Sequence, residues 1–223
     1  EVLAGVKNEL AGTVKLIFQP AEEGVRGAKA MVEKGVVDDV KYIVGMHLGV
    51  NLRKTGQVAC KTEGFLATTK LDAVVTGVPA HAGAAPETGK NAILAACSAT
   101  LNLHAISRHS AGASRVNVGV IQGGSGRNVV PGSCAIKVET RGATSDINAY
   151  VYNEAVRIIK AAAAMQGCKV GMELMGGAAG CENDEELVAR IRKVAERQKL
   201  LRDILPTGNI GGTLMGQSDH PLT

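Results

Sequence analysis

The sequence predicts an α/β fold interrupted by an antiparallel βαββαβ segment, and three observations predict it. Two continuous apolar runs, residues 14–18 and 40–47, read as buried strands of an α/β sheet. From about Thr68 the pattern changes to alternation of apolar and polar residues, as half-exposed strands show. Helical periodicity fills the gaps between the alternating strands.

Taken in order, residues 1–10 read as the end of a helix and 13–19 as a strand closed by Pro20 and Gly24. A helix over 24–34 follows, with Val25, Ala28, Met31 and Val32 on one face and Gly35 ending it. Residues 40–47 are the second buried strand. Alternation then predicts strands at 69–77, 115–122 and 133–140, the last two joined by a glycine-rich turn. Ala92, Ala95, Ala96, Ala99 and Leu103 define one face of a helix over 91–106. A second helix, 146–165, is capped by Ser145, and a strand over 169–175 completes the segment. The order βαββαβ places two helices on one face of a four-stranded antiparallel sheet. A charged helix over 183–200 returns to the first domain, and 208–219 is a glycine-rich loop. The expected division is 1–66, first part of the α/β domain; 67–177, the βαββαβ domain; and 178–223, the second part.

Composition narrows the function. The 223 residues include only 2% aromatics and no Trp, so the core must be built from Val, Ile, Leu, Ala and Met. The net charge of +4 is scattered and forms no basic stripe with interleaved aromatics, which argues against nucleic acid. No apolar run reaches membrane-spanning length. Five widely spaced cysteines, with no Cys-x-x-Cys pair, fit free thiols in a reducing cytoplasm.

The carboxyl ends of strands in open α/β sheets are where sites form. Glu22 and Glu23 stand just beyond the first apolar run, and His47 ends the second. Adjacent carboxylates leaving a strand point different ways, so one can bind a metal while the other moves a proton. They equally fit two solvated glutamates opening a helix, and His47 equally fits a structural histidine. His81 sits in a turn after Gly77-Val78-Pro79. Asn128 precedes Val129-Val130-Pro131, and Arg141 ends the next strand, close enough in sequence for a hairpin to bring the two together. An Arg fork with an Asn amide suits a carboxylate. The alternative is a turn Asn and an Arg paired with Glu139 or Asp146.

The stretch Phe18-Gln19-Pro20-Ala21-Glu22-Glu23-Gly24 resembles the glutamate motif of the aminoacylase-like amidohydrolases. These are two-metal hydrolases that include hippurate hydrolase and the plant auxin-conjugate hydrolases. Gly45-Met46-His47-Leu48-Gly49, Ala80-His81-Ala82-Gly83, Gly126-Arg127-Asn128-Val129-Val130-Pro131 and Val138-Glu139-Thr140-Arg141-Gly142 extend the resemblance along nearly the whole chain.

The resemblance implies a metallopeptidase-type catalytic α/β domain with an inserted ferredoxin-like lid and dimerisation domain. It implies a cofactor of two divalent metal ions, manganese or zinc, with Glu23 and His47 as ligands and Glu22 as the general base and acid. His81 would reach across a dimer to a partner's site and bind the scissile carbonyl or oxyanion. Asn128 and Arg141 would hold the α-carboxylate of an N-acyl amino acid, foremost N-(4-aminobenzoyl)-glutamate. Hippurate or N-acetyl-amino-acid hydrolysis is the alternative within the family. The partner through the lid is a second copy or a related second subunit. The family's upstream Cys/His-Gly-His-Asp motif and late His do not occur between Glu1 and Thr223. The expectation is therefore an internal fragment that alone binds metal poorly and is inactive, or serves only as a dimerisation module.

Overall fold

The structure, a computed structural model, describes residues 2–22, 26–47, 52, 54–63, 65–198, 201–205 and 208–209. The chain is mixed α/β and divides into two compact units, 1–41 and 42–223.

Among its described residues the first unit holds two short α-helices, α1 (Val2–Gly5) and α2 (Gly27–Glu33), and a 3-10 turn at Lys7–Glu9. Gly27 is buried, and a Cβ there would lie 1.6 Å from the carbonyl oxygen of Pro20, so only glycine lets α2 start against that turn. Lys15 bonds the carbonyl of Val36 at 3.0 Å and pairs with Asp39. That ammonium holds the Asp39 carboxyl below its usual range, chiefly through the hydrogen bond.

The second unit is built on a four-stranded sheet. Short strands β1 (Gln57–Ala59) and β2 (Thr62–Glu63) precede it. Its strands are β3 (Ala67–Thr76), β5 (Ser114–Gly123), β7 (Ser133–Gly142) and β8 (Lys169–Ala178), ordered β5-β7-β3-β8 and antiparallel throughout. Between β3 and β5 lie β4 (Ala80–His81) and α3 (Ala92–His104); β6 (Val129–Val130) precedes β7. Helix α4 (Ser145–Met165) joins β7 to β8.

Both helices cover one face of this sheet. Leu71, Ala73 and Val75 of β3 and Ile136 and Val138 of β7 form one core with Ala95, Ala96, Ala99 and Leu103 of α3 and Ala155 and Ile159 of α4. The expected face of α3 is the buried one, and its alanines let the helix approach closely. Burying each large aliphatic side chain stabilises by about 1.5–3 kcal/mol. One polar network enters this layer: Thr140 donates to Asn148 Oδ1 at 2.9 Å, and Asn148 Nδ2 donates to Thr69 at 2.8 Å. With its partners satisfied, buried Asn148 costs little. Burial pushes the Cys134 thiol up, and all five cysteines are free.

After β8, the chain returns beside the segment that preceded the sheet. Helix α5 (Glu185–Ala195) pairs Glu185 with Lys61 and sets Arg190 over the Tyr42 ring at 5.8 Å. Strands β9 (Asp203–Leu205) and β10 (Gly208–Asn209) then run parallel to β1 and β2.

Three expectations need correction. Residues 14–18 and 40–47 form no strand among the described residues, and most of their apolar side chains are exposed: Phe18 is 85% and Met46 98% accessible. A buried parallel strand needs neighbours on both edges and cover on both faces, and an apolar run specifies neither. The cap of α4 is Thr144, whose hydroxyl accepts from the Ile147 amide at 3.2 Å; Ser145 is the first helical residue and accepts from the Gly180 amide at 3.2 Å. The charged helix is shorter than expected: Asp184 fixes its start by accepting from the Leu187 amide at 2.7 Å, and its last helical residue is Ala195. The expected glycine-rich loop at 208–219 lies outside the described residues beyond Asn209.

Candidate functional site

Glu22 is exposed in the turn after Pro20. The residue before it, Ala21, has a φ of 52°, the left-handed region that costs a non-glycine residue roughly 1–2 kcal/mol. Glu23 lies outside the described residues. His47 ends the second apolar run and is exposed.

As donors, the carboxylate of Glu23 and the imidazole of His47 suit manganese or zinc. Among the described residues no group of three or more His, Cys, Asp or Glu side chains is gathered tightly enough to hold a metal. The donor chemistry of Glu23 and His47 fits a divalent metal in kind.

His81 and Asn128 come together. Strand β4 pairs with β6 through Ala80–Val130 and His81–Val129, and the Ala82 amide donates to the Asn128 carbonyl at 2.9 Å. His81 Nδ1 accepts from the amides of Gly83 and Ala84, both at 3.1 Å. With Nδ1 an acceptor, the neutral ring carries its proton on Nε2, which is then a donor. The ring is exposed, so that donor faces outward from this end of the sheet.

Arg141 is elsewhere. Its Nε donates to Glu139 Oε2 at 2.9 Å, and the Thr68 hydroxyl reaches Glu139 Oε1 at 3.4 Å. The pairing with Glu139 foreseen as an alternative is therefore present. Arg141 lies opposite Thr68 of β3 and Arg115 of β5, at the end where the chain enters the sheet. Asn128 lies beyond the other end, past the Ser133–Thr76 pair. The hairpin expected to fold Asn128 onto Arg141 instead separates them: β7 runs away from Asn128 for nearly its whole length, about 25 Å. Spacing along the chain does not single out Arg115, and only the strand register reveals it as the neighbour of Arg141.

His104 ends α3, and His109 follows it in the loop before β5. The His109 ring meets Tyr150 edge-on at 5.4 Å, and its Nδ1 accepts from the Ala111 amide at 3.1 Å. A groove of about 430 Å³ between α3 and α4, bordered by Asn102, Tyr150, Glu154, Arg157 and Met165, contains none of the expected site residues.

Residues 1–219 match the model of peptidase family M20/M25/M40. The chain is 52% identical over 219 residues to indole-3-acetyl-aspartic acid hydrolase of Enterobacter agglomerans, covering 96% of this chain and 50% of that protein. It is 53% identical over 211 residues to one of the subunits of p-aminobenzoyl-glutamate hydrolase of Escherichia coli, covering 92% and 48%. Among solved structures, an aminobenzoyl-glutamate utilization protein from Klebsiella pneumoniae aligns with a TM-score of 0.83 and 49% identity, over 96% of this chain and 56% of its own. A dinuclear metal-binding M20 peptidase from Bacillus subtilis shares the fold, with a TM-score of 0.66 and 23% identity over 95% and 53%. The chain spans about half the length of the curated relatives it matches.

Proposed function

The chain belongs to peptidase family M20/M25/M40, and from that premise we propose that its protein is a metal-dependent amidohydrolase of N-acylated acidic amino acids, with N-(4-aminobenzoyl)-glutamate the foremost substrate. One observation carries the reading. Two relatives, 52% and 53% identical over 92% or more of this chain, are hydrolases named for an aspartate amide and a glutamate amide. Hydrolysis of hippurate or N-acetyl amino acids has no comparable support.

Glu23 and His47 would hold the metal ions, manganese or zinc. When bound, they polarise the amide carbonyl and make water acidic enough to attack at neutral pH. Glu22 takes the proton from the attacking water and passes it to the departing amine. Nε2–H of His81 donates to the carbonyl oxygen as negative charge develops there, a contribution of about 3–4 kcal/mol in comparable sites. Asn128 and Arg141 hold the α-carboxylate of the amino-acid half.

The domain reading is 1–66 and 178–223 as parts of the catalytic domain and 67–177 as an inserted ferredoxin-like lid. Its support is the β5-β7-β3-β8 order and the parallel pairing of the segments flanking the sheet. The distance between Arg141 and the His81–Asn128 pair supports a site made by two chains. A single lid cannot bring both ends of its sheet to one substrate, so Arg141 serves its own chain's site while His81 and Asn128 serve a partner's. That partner is a second copy or a related but different chain, since the Escherichia coli relative is itself named as one subunit of its enzyme. The five free thiols suit a cytoplasmic setting. Among the described residues no helix is long and apolar enough to cross a membrane.

The test is Glu22→Gln in the full-length enzyme. Metal content stays near normal while kcat on N-(4-aminobenzoyl)-glutamate falls by roughly a hundredfold or more. An unchanged kcat sinks the assignment. Indole-3-acetyl-aspartate in the same assay decides which acyl group is preferred.

A further inference from the structure

The open face of the sheet, opposite the helices, carries a second arginine beside the first. Val116 and Val118 of β5 pack against the helix-covered core, so Arg115 and Asn117 face the other way. Arg115 is the register partner of Arg141. Directly opposed residues have Cβ atoms about 4.5–5.5 Å apart, and like charges so placed repel. Arg141 has Glu139 as counter-charge. Arg115 has no carboxylate partner among the described residues; its Nη1 donates to the carbonyl of its neighbour Ser114 at 2.8 Å. The row beneath them, Asn117, Glu139 and Lys70, adds one anion and one further cation. Among the described residues in these two rows, three cations, Arg115, Arg141 and Lys70, stand with one carboxylate, that of Glu139.

We propose that Arg115 binds the side-chain carboxylate of the amino acid whose α-carboxylate Arg141 holds, making the site selective for aspartate and glutamate conjugates over neutral ones. The inference rests on the hydrolase reading above and deepens it. Two adjacent guanidinium forks match two carboxylates joined by the short methylene chain of an acidic amino acid. The dicarboxylate would also neutralise the repulsion between the two forks. A neutral side chain would leave Arg115 desolvated against an uncharged group, and discrimination of that kind is strong.

The experiment compares N-(4-aminobenzoyl)-glutamate with its isostere N-(4-aminobenzoyl)-glutamine on the full-length enzyme, as wild type, Arg115→Gln and Arg115→Lys. Arg115→Gln is expected to raise KM for the glutamate conjugate roughly ten- to a hundredfold, the range of a charge-assisted bond, with kcat little changed. KM for the glutamine conjugate should hold, and Arg115→Lys should restore part of the preference. Equal losses on both substrates, or no change on either, overturn the proposal. If the wild type cleaves neither conjugate, the hydrolase reading falls separately. Calorimetric binding of free glutamate against free glutamine, to wild type and Arg115→Gln, then decides the inference. A wild-type preference for glutamate abolished in the variant upholds it, and equal affinities overturn it.

Discussion

The four-stranded module and the two apolar runs, 14–18 and 40–47, start from similar sequence arguments and end in opposite environments. In the module, Leu71 and Ile136 are 1% and 0% accessible. In the runs, Leu16, Phe18, Ile43, Val44 and Met46 are all exposed. Hydrophobicity does not separate the two regions, but partnership does. Alternating strands linked by amphipathic helices carry, within one contiguous stretch, both the hydrogen-bonding neighbours and the apolar cover they need. A continuous apolar run needs both from elsewhere.

That difference has measurable edges. Ile136→Ala should have the largest effect, about 2–5 kcal/mol of lost stability, because it opens a cavity between β7 and the helices. Thermal unfolding checks it, and a loss below about 1 kcal/mol would mean the core is looser than its packing indicates. Next comes the start of α4. Thr144→Ala should cost about 1 kcal/mol through loss of the cap, and Ser145→Ala less, since Ser145 bonds the Gly180 amide and leaves the helix amides alone. A larger loss for Ser145→Ala would return the cap to the residue the sequence favoured. The smallest effect belongs to Phe18→Ala, within about 0.5 kcal/mol, because its side chain is already in solvent. Should Phe18→Ala rival Ile136→Ala, the run is buried in solution and the contrast between the regions disappears.

How much was legible follows the same line. The module was readable strand by strand, since period-two alternation and the alanine face of α3 are local properties. The cap of α4 was missed by one residue, because Thr and Ser are both good caps and only backbone geometry chooses between them. At the site, the His81 and Asn128 motifs pointed to residues that share one corner. The spacing between Asn128 and Arg141 misled, because a hairpin fixes register, and proximity only at its closed end. Arg115 was not legible as a neighbour of Arg141, since that pairing comes from two strands whose paired residues lie 26 positions apart along the chain. The φ of Ala21, beside Glu22, has no signature in composition at all.

The bond from Asn183 Nδ2 to the Thr62 carbonyl, 2.7 Å long, joins residues 121 positions apart. Closing so long a loop in a disordered chain costs on the order of 4 kcal/mol of entropy. Once the four strands and two helices between them have formed, the ends of that loop are already neighbours, and most of this cost has been met. The order of folding events follows. The intervening module can condense by itself through contacts nearer in sequence, whereas β1–β9 and β2–β10 gain their pairing only afterwards. During synthesis, the segment containing Cys60 and Lys61 must therefore wait for more than a hundred further residues before its neighbours arrive.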